Sequence, residues 1–154
     1  MTAFQIRAGL AGDLVAIVAL ERRVAEAPHW AEIEYAATVG KDESAYVRRC
    51  LFIAEADGAL IGFAVGKIVG DLAELESVAV DLGARRCGVG RALCGAVIDW
   101  CKRQRATAVE LEVRAASEVA IGLYRGLGFV PIGRRPEYYS APLDDAVLMR
   151  LDLC

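Results

Sequence analysis

The stretch Arg85-Arg86-Cys87-Gly88-Val89-Gly90-Arg91 decides the fold prediction for this chain. It follows an apolar, β-branched run (78–80) and precedes a periodic apolar segment (93–100), so it joins a strand to a helix. Two glycines one residue apart let backbone N–H groups close around a phosphate, with the positive end of a helix behind them. The spacing differs from the dinucleotide fingerprint Gly-x-Gly-x-x-Gly, and no Lys-Ser/Thr pair follows as in a Walker loop. The stretch therefore predicts a phosphate site of another kind.

Length and composition predict one globular domain over residues 1–154. Of these residues 56% are hydrophobic and 25% are charged, which excludes a disordered chain. No apolar run reaches the roughly 18 residues that span a bilayer, and no basic segment precedes an apolar one at the N-terminus. The net charge of −3 argues against general nucleic-acid binding. We expect a cytoplasmic protein with no membrane or nucleic-acid partner, and the pattern leaves its oligomeric state open.

The cysteines predict neither a metal site nor a disulfide framework. The chain has five of them, with no Cys-x-x-Cys pair and a single histidine, His29. Cys94 and Cys101 are seven residues apart on a predicted helix, so they share a face and are expected to pack as small apolar residues. An odd number of free thiols is typical of a reducing compartment.

The hydrophobic pattern predicts a mixed sheet with helices on both faces, an α/β arrangement. Strands are expected at 4–7, 50–54, 60–65, 73–80, 109–113, 129–133 and 146–151. Helices are expected at 14–24, 32–39, from the glycine loop to about 103, and at 117–127. Asp13 and Ser117 are predicted helix caps, Gly128 a helix stop, and Asp57-Gly58 a hairpin turn.

This order of elements, together with the glycine loop, resembles the GNAT superfamily of acetyl-CoA-dependent N-acetyltransferases. The sharpest similarity lies in Glu112-Val113-Arg114-Ala115, in Leu123-Tyr124 and in Gly128-Phe129, which match a strand followed by a helix ending Leu-Tyr-x-x-x-Gly-Phe. The resemblance covers essentially the whole chain. It implies the GNAT fold, with a mixed, mostly antiparallel sheet, and acetyl-CoA as co-substrate without a metal.

Within the superfamily the chain is similar to the RimI-type protein N-terminal acetyltransferases. Arg134-Arg135-x-x-Tyr138-Tyr139, the Asp144–Met149 segment and Pro28-His29-Trp30 carry this similarity, the last with one residue inserted. The resemblance implies that a protein N-terminal peptide is the acceptor, with a ribosomal protein as the first candidate. The residues it implies for binding the acceptor are Trp30, Glu76, Tyr138 and Tyr139.

The resemblance also assigns residues to acetyl-CoA. It implies that backbone N–H groups of the glycine loop hold the pyrophosphate, that the strand before the loop pairs with the pantetheine arm, and that two further side chains contact the cofactor. These residues are Arg85, Arg86, Cys87, Gly88, Val89, Gly90 and Arg91 for the loop, Val78, Ala79 and Val80 for the strand, and Ser117 and Tyr124 for the side chains. Cys87 and Ser117 depart from the family pattern, which commonly has Arg and Asn there.

Three carboxylates are candidates for the base that deprotonates the amine. Glu112 matches the RimI-type catalytic glutamate, Glu74 matches the glutamate of histone-type relatives, and Glu76 shares a strand face with Glu74. We favour Glu112. An N-terminal α-amine has a pKa near 8 whereas that of lysine is near 10.4, a difference of roughly 2.5 units or about 3.4 kcal/mol. A modest base therefore suits an N-terminal acceptor.

Tyr124 is the predicted acid, because a phenol can donate a proton to the leaving thiolate. The sequence thus favours N-α-acetylation by direct attack in a ternary complex, with Glu112 acting through water. A GNAT enzyme for a small amine or a lysine side chain, and a non-catalytic acyl-CoA-binding module, are the alternatives. A nucleotide-binding protein is disfavoured, since the loop lacks the motifs of that class.

Overall fold

The computed structural model describes residues 3–24, 32–39 and 46–153. The strands are β1 (Gln5–Ala8), β2 (Val47–Ala56), β3 (Ala59–Val69), β4 (Leu72–Val80), β5 (Ala108–Arg114), β6 (Val130–Tyr139) and β7 (Asp144–Asp152). The helices are α1 (Leu14–Arg23), α2 (Glu32–Ala36), α3 (Val89–Arg103) and α4 (Glu118–Gly126). The order of strands and helices along the chain confirms the predicted order.

The strands form one seven-stranded sheet in the order β1-β2-β3-β4-β5-β7-β6. Neighbouring strands are antiparallel except β4 and β5, which run parallel. The predicted mixed, mostly antiparallel sheet is therefore confirmed. In the described part of the chain no helix is long and apolar enough to cross a membrane.

The parallel pair is short, and this splits the sheet. β4 and β5 pair only from Leu72↔Ala108 to Glu74↔Glu110, and beyond that point they separate. On its other edge β4 stays paired with β3, but the register shifts by one residue: Val65 lies opposite Ser77, and the next residue, Gly66, lies opposite Leu75. Glu76 is thus the extra residue of a β-bulge, a feature that re-aims side chains next to functional sites.

Each face of the sheet has its own core. On one face α3 and α4 cover a cluster that includes Ile68, Leu75, Leu93, Val97 and Leu111. On the other face α1 and α2 cover a cluster that includes Ile17, Tyr35, Ile53, Phe63 and Ala79. Cys94 and Cys101 are fully buried in the first cluster, which confirms their predicted packing.

The turn and stop signals were predicted correctly, and Asp13 and Ser117 occupy the predicted N-cap positions, but neither side chain makes the capping hydrogen bond. Asp57 and Gly58 have positive φ angles of 51° and 76°, as a tight hairpin turn requires, and Gly128 after α4 has φ 102°. Asp13 precedes α1 without a side-chain cap bond, because its carboxylate accepts from the Leu10 N–H at 2.8 Å instead. Ser117 also caps α4 without a side-chain hydrogen bond.

Two element boundaries were predicted wrongly. The second helix ends at Ala36, and residues 37–39 form a turn. β6 continues to Tyr139, six residues past the predicted end. Its register with β7 is irregular between Arg135 and Tyr139, and such interrupted pairing hides the alternation by which strands are recognised.

Candidate active site

A cavity of about 820 Å³ lies where β4 and β5 separate. Its walls are the diverging ends of these two strands, the loop before α3, and α4. The predicted site residues that line it are Glu76, Val78, Ala79, Val80, Arg85, Arg86, Gly88, Val89, Gly90, Arg91, Glu112, Ser117, Tyr124 and Tyr139. Three predicted residues, Glu74, Cys87 and Tyr138, are not part of the lining. Trp30 lies outside the described residues.

The glycine loop forms one end of the cavity. Gly88 caps α3 in the left-handed conformation with φ 82°, which glycine adopts without steric cost. The first bond into the helix runs from the Ala92 N–H to the Gly88 carbonyl at 3.0 Å. The N–H groups of Val89, Gly90 and Arg91 therefore belong to the first turn of α3, where helices leave N–H groups without a carbonyl partner. This end of the cavity can hold an anionic group such as a phosphate.

Contacts around the loop hold it against β4. The Arg85 Nε donates to the Val80 carbonyl at 3.2 Å. The Cys87 Sγ lies 3.6 Å from the Arg85 carbonyl, and its side chain packs against the core under α3. Cys87, at the position where the family commonly has Arg, thus contributes packing and no charge at the cavity. Backbone N–H groups of the loop line this end of the site.

The middle of the cavity is an open strand edge. Val78 and Val80 pack toward the α3 core whereas Ala79 belongs to the opposite core, so the three residues keep strand alternation. One edge of this segment pairs with β3, and the edge that faces β5 has no strand beside it past Glu74. An extended amide-containing chain can pair with such an edge.

Glu112 lies at the β5 side of the cavity, on the face turned away from α3. Its neighbours Leu111 and Val113 are buried in the α3 core, so strand alternation places Glu112 on the other face. The Glu112 Oε1 lies 3.4 Å from the Arg135 Nε, and its side chain keeps 28% exposure. A hydrogen bond to the Glu112 carboxylate raises the pKa of the Tyr138 hydroxyl. The carboxylate thus has one exposed cationic partner and one phenol partner.

The two alternative carboxylates on β4 have different surroundings. The Glu76 carboxylate lies between Arg49 Nε at 3.7 Å and Lys67 Nζ at 3.9 Å. Burial raises the pKa of both Glu74 and Glu76, and the nearby cations act in the opposite direction. Leu75, which lies between them, packs into the α3 core, so both carboxylates lie on the other face of the sheet, as predicted. Only Glu76 reaches the cavity.

Tyr124 reaches the cavity from the other face of the sheet. It lies on α4, packs against the α3 core, and makes an edge-to-face contact with Phe129 at a centroid distance of 5.9 Å. Burial raises the pKa of its hydroxyl, which therefore stays protonated at neutral pH. Among the residues that the structure describes, the hydroxyl has no hydrogen-bond partner. A neutral donor is thus available to a ligand.

The irregular part of β6 carries the aromatic residues at the cavity mouth. Residues 136–138 lie opposite Asp145 alone, whose carboxylate accepts from the Glu137 N–H at 2.9 Å and from Arg134 Nε at 2.7 Å. Tyr139 lines the cavity, and the Arg114 guanidinium lies 4.4 Å from the centre of its ring. Tyr138 is exposed and contacts Tyr139 at 5.0 Å between ring centroids.

Sequence reasoning missed three residues at this site. Arg135 pairs with Glu112, Asp145 holds the β6 irregularity, and Ser77 is a buried hydroxyl in the cavity lining. Only the Arg134-to-Tyr139 and Asp144-to-Met149 motifs pointed toward the first two. Nothing in the local pattern marked Ser77. Within the described ranges no group of three or more His, Cys, Asp or Glu side chains could hold a metal ion.

The fold and the site define an N-acetyltransferase, and the chain belongs to the acetyltransferase (GNAT) family, whose model matches residues 12–129. It is 34% identical over 143 residues to the [ribosomal protein bS18]-alanine N-acetyltransferase of Escherichia coli, with 92% of each chain covered. It is 33% identical over 151 residues to the N-alpha-acetyltransferase RimI of Mycobacterium tuberculosis, with 90% of this chain and 92% of that one covered.

A solved structure agrees with these relatives. The crystal structure of the ribosomal-protein-S18-alanine N-acetyltransferase from Escherichia coli matches with a TM-score of 0.82 and 32% identity. The match covers 97% of this chain and 94% of that chain. The resemblance to GNAT enzymes, and within them to the RimI type, is therefore confirmed.

Proposed function

We propose that this protein transfers the acetyl group of acetyl-CoA to the α-amine of a protein N-terminus. One observation carries the proposal: Glu112 and Tyr124 meet in a single cavity from opposite faces of the split sheet, and the glycine loop closes its end. A base on one face and a proton donor on the other suit a reaction in which an amine enters and a thiolate leaves. Relatives named for N-terminal acetylation support this choice of acceptor.

The cavity fits acetyl-CoA without a metal. The first-turn N–H groups of α3 and the positive end of its dipole suit the pyrophosphate, with Arg85, Arg86 and Arg91 beside it. The open edge of β4 at 78–80 suits the amides of the pantetheine arm. Ser117 at the start of α4 lines the same channel and can add a side-chain contact. The reacting carbonyl would then lie where the two strands part.

The reaction follows as direct attack in a ternary complex. Glu112, through a water, takes a proton from the amine whose nitrogen attacks the thioester carbonyl carbon. The C–N bond forms, the C–S bond breaks, and the sulfur accepts a hydrogen bond and then a proton from the Tyr124 hydroxyl. Tyr124 regains its proton from solvent. We place no covalent acyl-enzyme in the pathway, because Cys87 packs against the core beside the loop and does not line the cavity.

Glu112 is the base that the surroundings favour. Its one cationic partner, Arg135, is 55% exposed in its side chain and can move away when a peptide enters. Glu76 is held between two cations and is only 12% exposed, so a water has less access to it. Glu76 is the alternative base, and its position beside the cavity also suits contact with the acceptor. Glu74 is the weaker candidate, since it does not line the cavity.

The acceptor is a peptide that enters from the face of α1 and α2. Tyr139 at the mouth can bond its backbone, with Tyr138 beside it and Trp30 as a further contact implied by the family resemblance. A ribosomal protein is the first acceptor to test, because a relative at 34% identity is named for alanine acetylation of one. A lysine side chain or a small amine is the competing acceptor class.

The test is an acceptor panel. Purified protein and acetyl-CoA are incubated with a peptide that has a free N-terminal alanine and one internal lysine, with the same peptide already acetylated at its N-terminus, and with a polyamine. Mass spectrometry then locates the acetyl group. We expect acetylation of the free N-terminus and none of the blocked peptide. Acetylation of the lysine or of the polyamine alone would reject an N-terminal acceptor.

A further inference from the structure

Two neighbouring carboxylates at the start of β7 bind opposite walls of the cavity, and the mechanism above gives neither of them a part. The Asp145 Oδ1 accepts from the Glu137 N–H of β6 at 2.9 Å. The Asp144 Oδ2 accepts from the Ala116 N–H, just before α4, at 3.1 Å. β6 supplies the aromatic residues at the cavity mouth, whereas α4 supplies the proposed acid. Each carboxylate thus contacts a different half of the site.

Asp145 fixes a strained segment of β6. Glu137 has φ 52°, a left-handed conformation that costs free energy for a residue with a Cβ. The Asp145 carboxylate accepts from the Glu137 N–H with one oxygen and from Arg134 Nε, at 2.7 Å, with the other. These bonds, that from Glu137 first, lower the pKa of Asp145, so its carboxylate stays ionised at neutral pH. One carboxylate therefore ties together both ends of the segment 134–137.

The strained segment decides which β6 residue reaches the cavity. Arg135 lies opposite Ala146. Four residues further along β6, Tyr139 lies opposite Asp144, which is only two residues from Ala146. Regular pairing would place Glu137 opposite Asp144. The two extra residues place Tyr139 there instead, and Tyr139 lines the cavity.

The same segment carries other groups at the acceptor end. Arg135 Nε lies 3.4 Å from Glu112 Oε1, and the Arg135 guanidinium lies 5.6 Å from the centre of the Tyr138 ring. Because Arg135 and Tyr138 lie on either side of Glu137, their positions depend on its backbone conformation. Loss of the Asp145 contacts would therefore displace these side chains together.

Asp144 has the corresponding position on the side of α4. Its Oδ1 accepts from the Asp145 N–H at 2.8 Å, while its Oδ2 binds the Ala116 N–H. Ala116 lines the cavity and precedes Ser117, the proposed side-chain contact to acetyl-CoA. Ser117 is the cap residue of α4, which carries Tyr124. The Asp144 carboxylate thus joins β7 to the point where α4 begins.

We propose that Asp145 and Asp144 are positioning residues for the two substrates: Asp145 fixes the acceptor-binding side chains of β6, and Asp144 fixes the acetyl-CoA side at the start of α4. Each acts through the backbone of a neighbouring element and not by contact with a substrate. The assignment rests on the proposed function, since it takes the β6 side of the cavity as the acceptor end. Two adjacent substitutions should then separate the two substrates kinetically, which a general loss of structure would not do.

The experiment measures KM for both substrates in Asp145→Ala and Asp144→Ala, using whichever amine of the acceptor panel the unmodified protein turns over best. Asp145→Ala should raise the acceptor KM about tenfold, as for loss of hydrogen bonds to a charged group, and leave the acetyl-CoA KM within about twofold. Asp144→Ala should instead raise the acetyl-CoA KM about fivefold and lower kcat, with a smaller rise in the acceptor KM.

Three further variants separate positioning from loss of charge. Asp145→Asn keeps an oxygen that accepts from the Glu137 N–H, so its acceptor KM should stay within about threefold of the unmodified value. Glu137→Gly should recover part of the acceptor affinity lost in Asp145→Ala, because glycine adopts φ 52° without the cost of a Cβ. Asp152→Ala is the matched control and should change neither KM. Asp152 also lies on β7 and pairs with Arg150 at 2.9 Å, but at the opposite end of the strand.

Equal rises of both KM values in Asp145→Ala, or an unchanged acceptor KM, would reject the assignment and leave the proposed function standing. Failure of Glu137→Gly to recover any acceptor affinity would contradict the route through the strained segment. If a lysine or a polyamine alone is acetylated, the N-terminal acceptor is rejected while the two KM values still test Asp145. If the unmodified protein acetylates no amine, both proposals are rejected.

Discussion

Removing the Tyr124 hydroxyl isolates the proposed acid from its structural context. Tyr124→Phe keeps the ring, its edge-to-face contact with Phe129 and its packing against the core. The hydroxyl has no hydrogen-bond partner in the described part of the chain, so its loss leaves no group unsatisfied. We expect the free energy of unfolding to change by less than about 0.5 kcal/mol.

The catalytic cost can be worked from the same surroundings. A phenol of pKa about 10 that protonates a thiolate whose thiol has a pKa of about 8.5 does so uphill by roughly 1.5 units, or about 2 kcal/mol. Burial raises the pKa of Tyr124 and widens this gap. In the proposed mechanism the hydroxyl therefore stabilises the developing thiolate chiefly as a hydrogen-bond donor, before the sulfur takes the proton. We expect the low end of the range for general acids, a fall in kcat of about 100-fold.

The assay is steady-state release of CoA thiol with a saturating N-terminal peptide, together with a urea unfolding curve. Tyr139→Phe is the matched control, because it makes the same change in the same cavity at the acceptor end. It should raise the peptide KM and leave kcat within about threefold. An unchanged kcat in a folded Tyr124→Phe protein would refute the role of acid.

Two further substitutions test the other ends of the cavity. Glu112→Gln should lower kcat about 100-fold at pH 7. The fall should be smaller at pH 9, because an α-amine of pKa near 8 is already neutral there. The control Glu110→Gln, two residues away and paired with Arg150 at 2.8 Å, should leave kcat unchanged. Loss of activity in Glu76→Gln instead would move the base to β4. In Gly88→Ala the new Cβ has no atom within 4 Å, so the φ angle of 82° is the only source of strain. This strain should lower the free energy of unfolding by about 1–2 kcal/mol and raise the KM for acetyl-CoA. The control Gly95→Ala, inside α3 and equally uncrowded, should raise the free energy of unfolding by about 0.5–1 kcal/mol and leave the kinetics unchanged; equal effects of the two changes would contradict a special backbone conformation at Gly88.

Local chemistry made much of the fold predictable. The Asp57-Gly58 turn, the Gly128 stop and the burial of Cys94 and Cys101 each depend on one residue type in one short pattern. The glycine loop is of the same kind, since Gly88 adopts the backbone conformation that only glycine reaches without strain. Such signals need no knowledge of distant residues.

Long-range pairing hid the rest. The bulge at Glu76 depends on the register between β3 and β4, and it turns Ser77 toward the face that α1 and α2 cover. The Arg135 contact with Glu112 depends on an irregular stretch of β6 that Asp145 holds from β7. In each case a residue remote in sequence changed the geometry that the local pattern predicts.

A structure of the protein with CoA and an N-terminal peptide tests the central claim most directly. The account predicts the pyrophosphate on the N–H groups at the start of α3, the sulfur within hydrogen-bond distance of the Tyr124 hydroxyl, and the α-nitrogen one water away from Glu112. A pyrophosphate bound away from the glycine loop would contradict it, as would an α-nitrogen whose water contacts Glu76 and not Glu112.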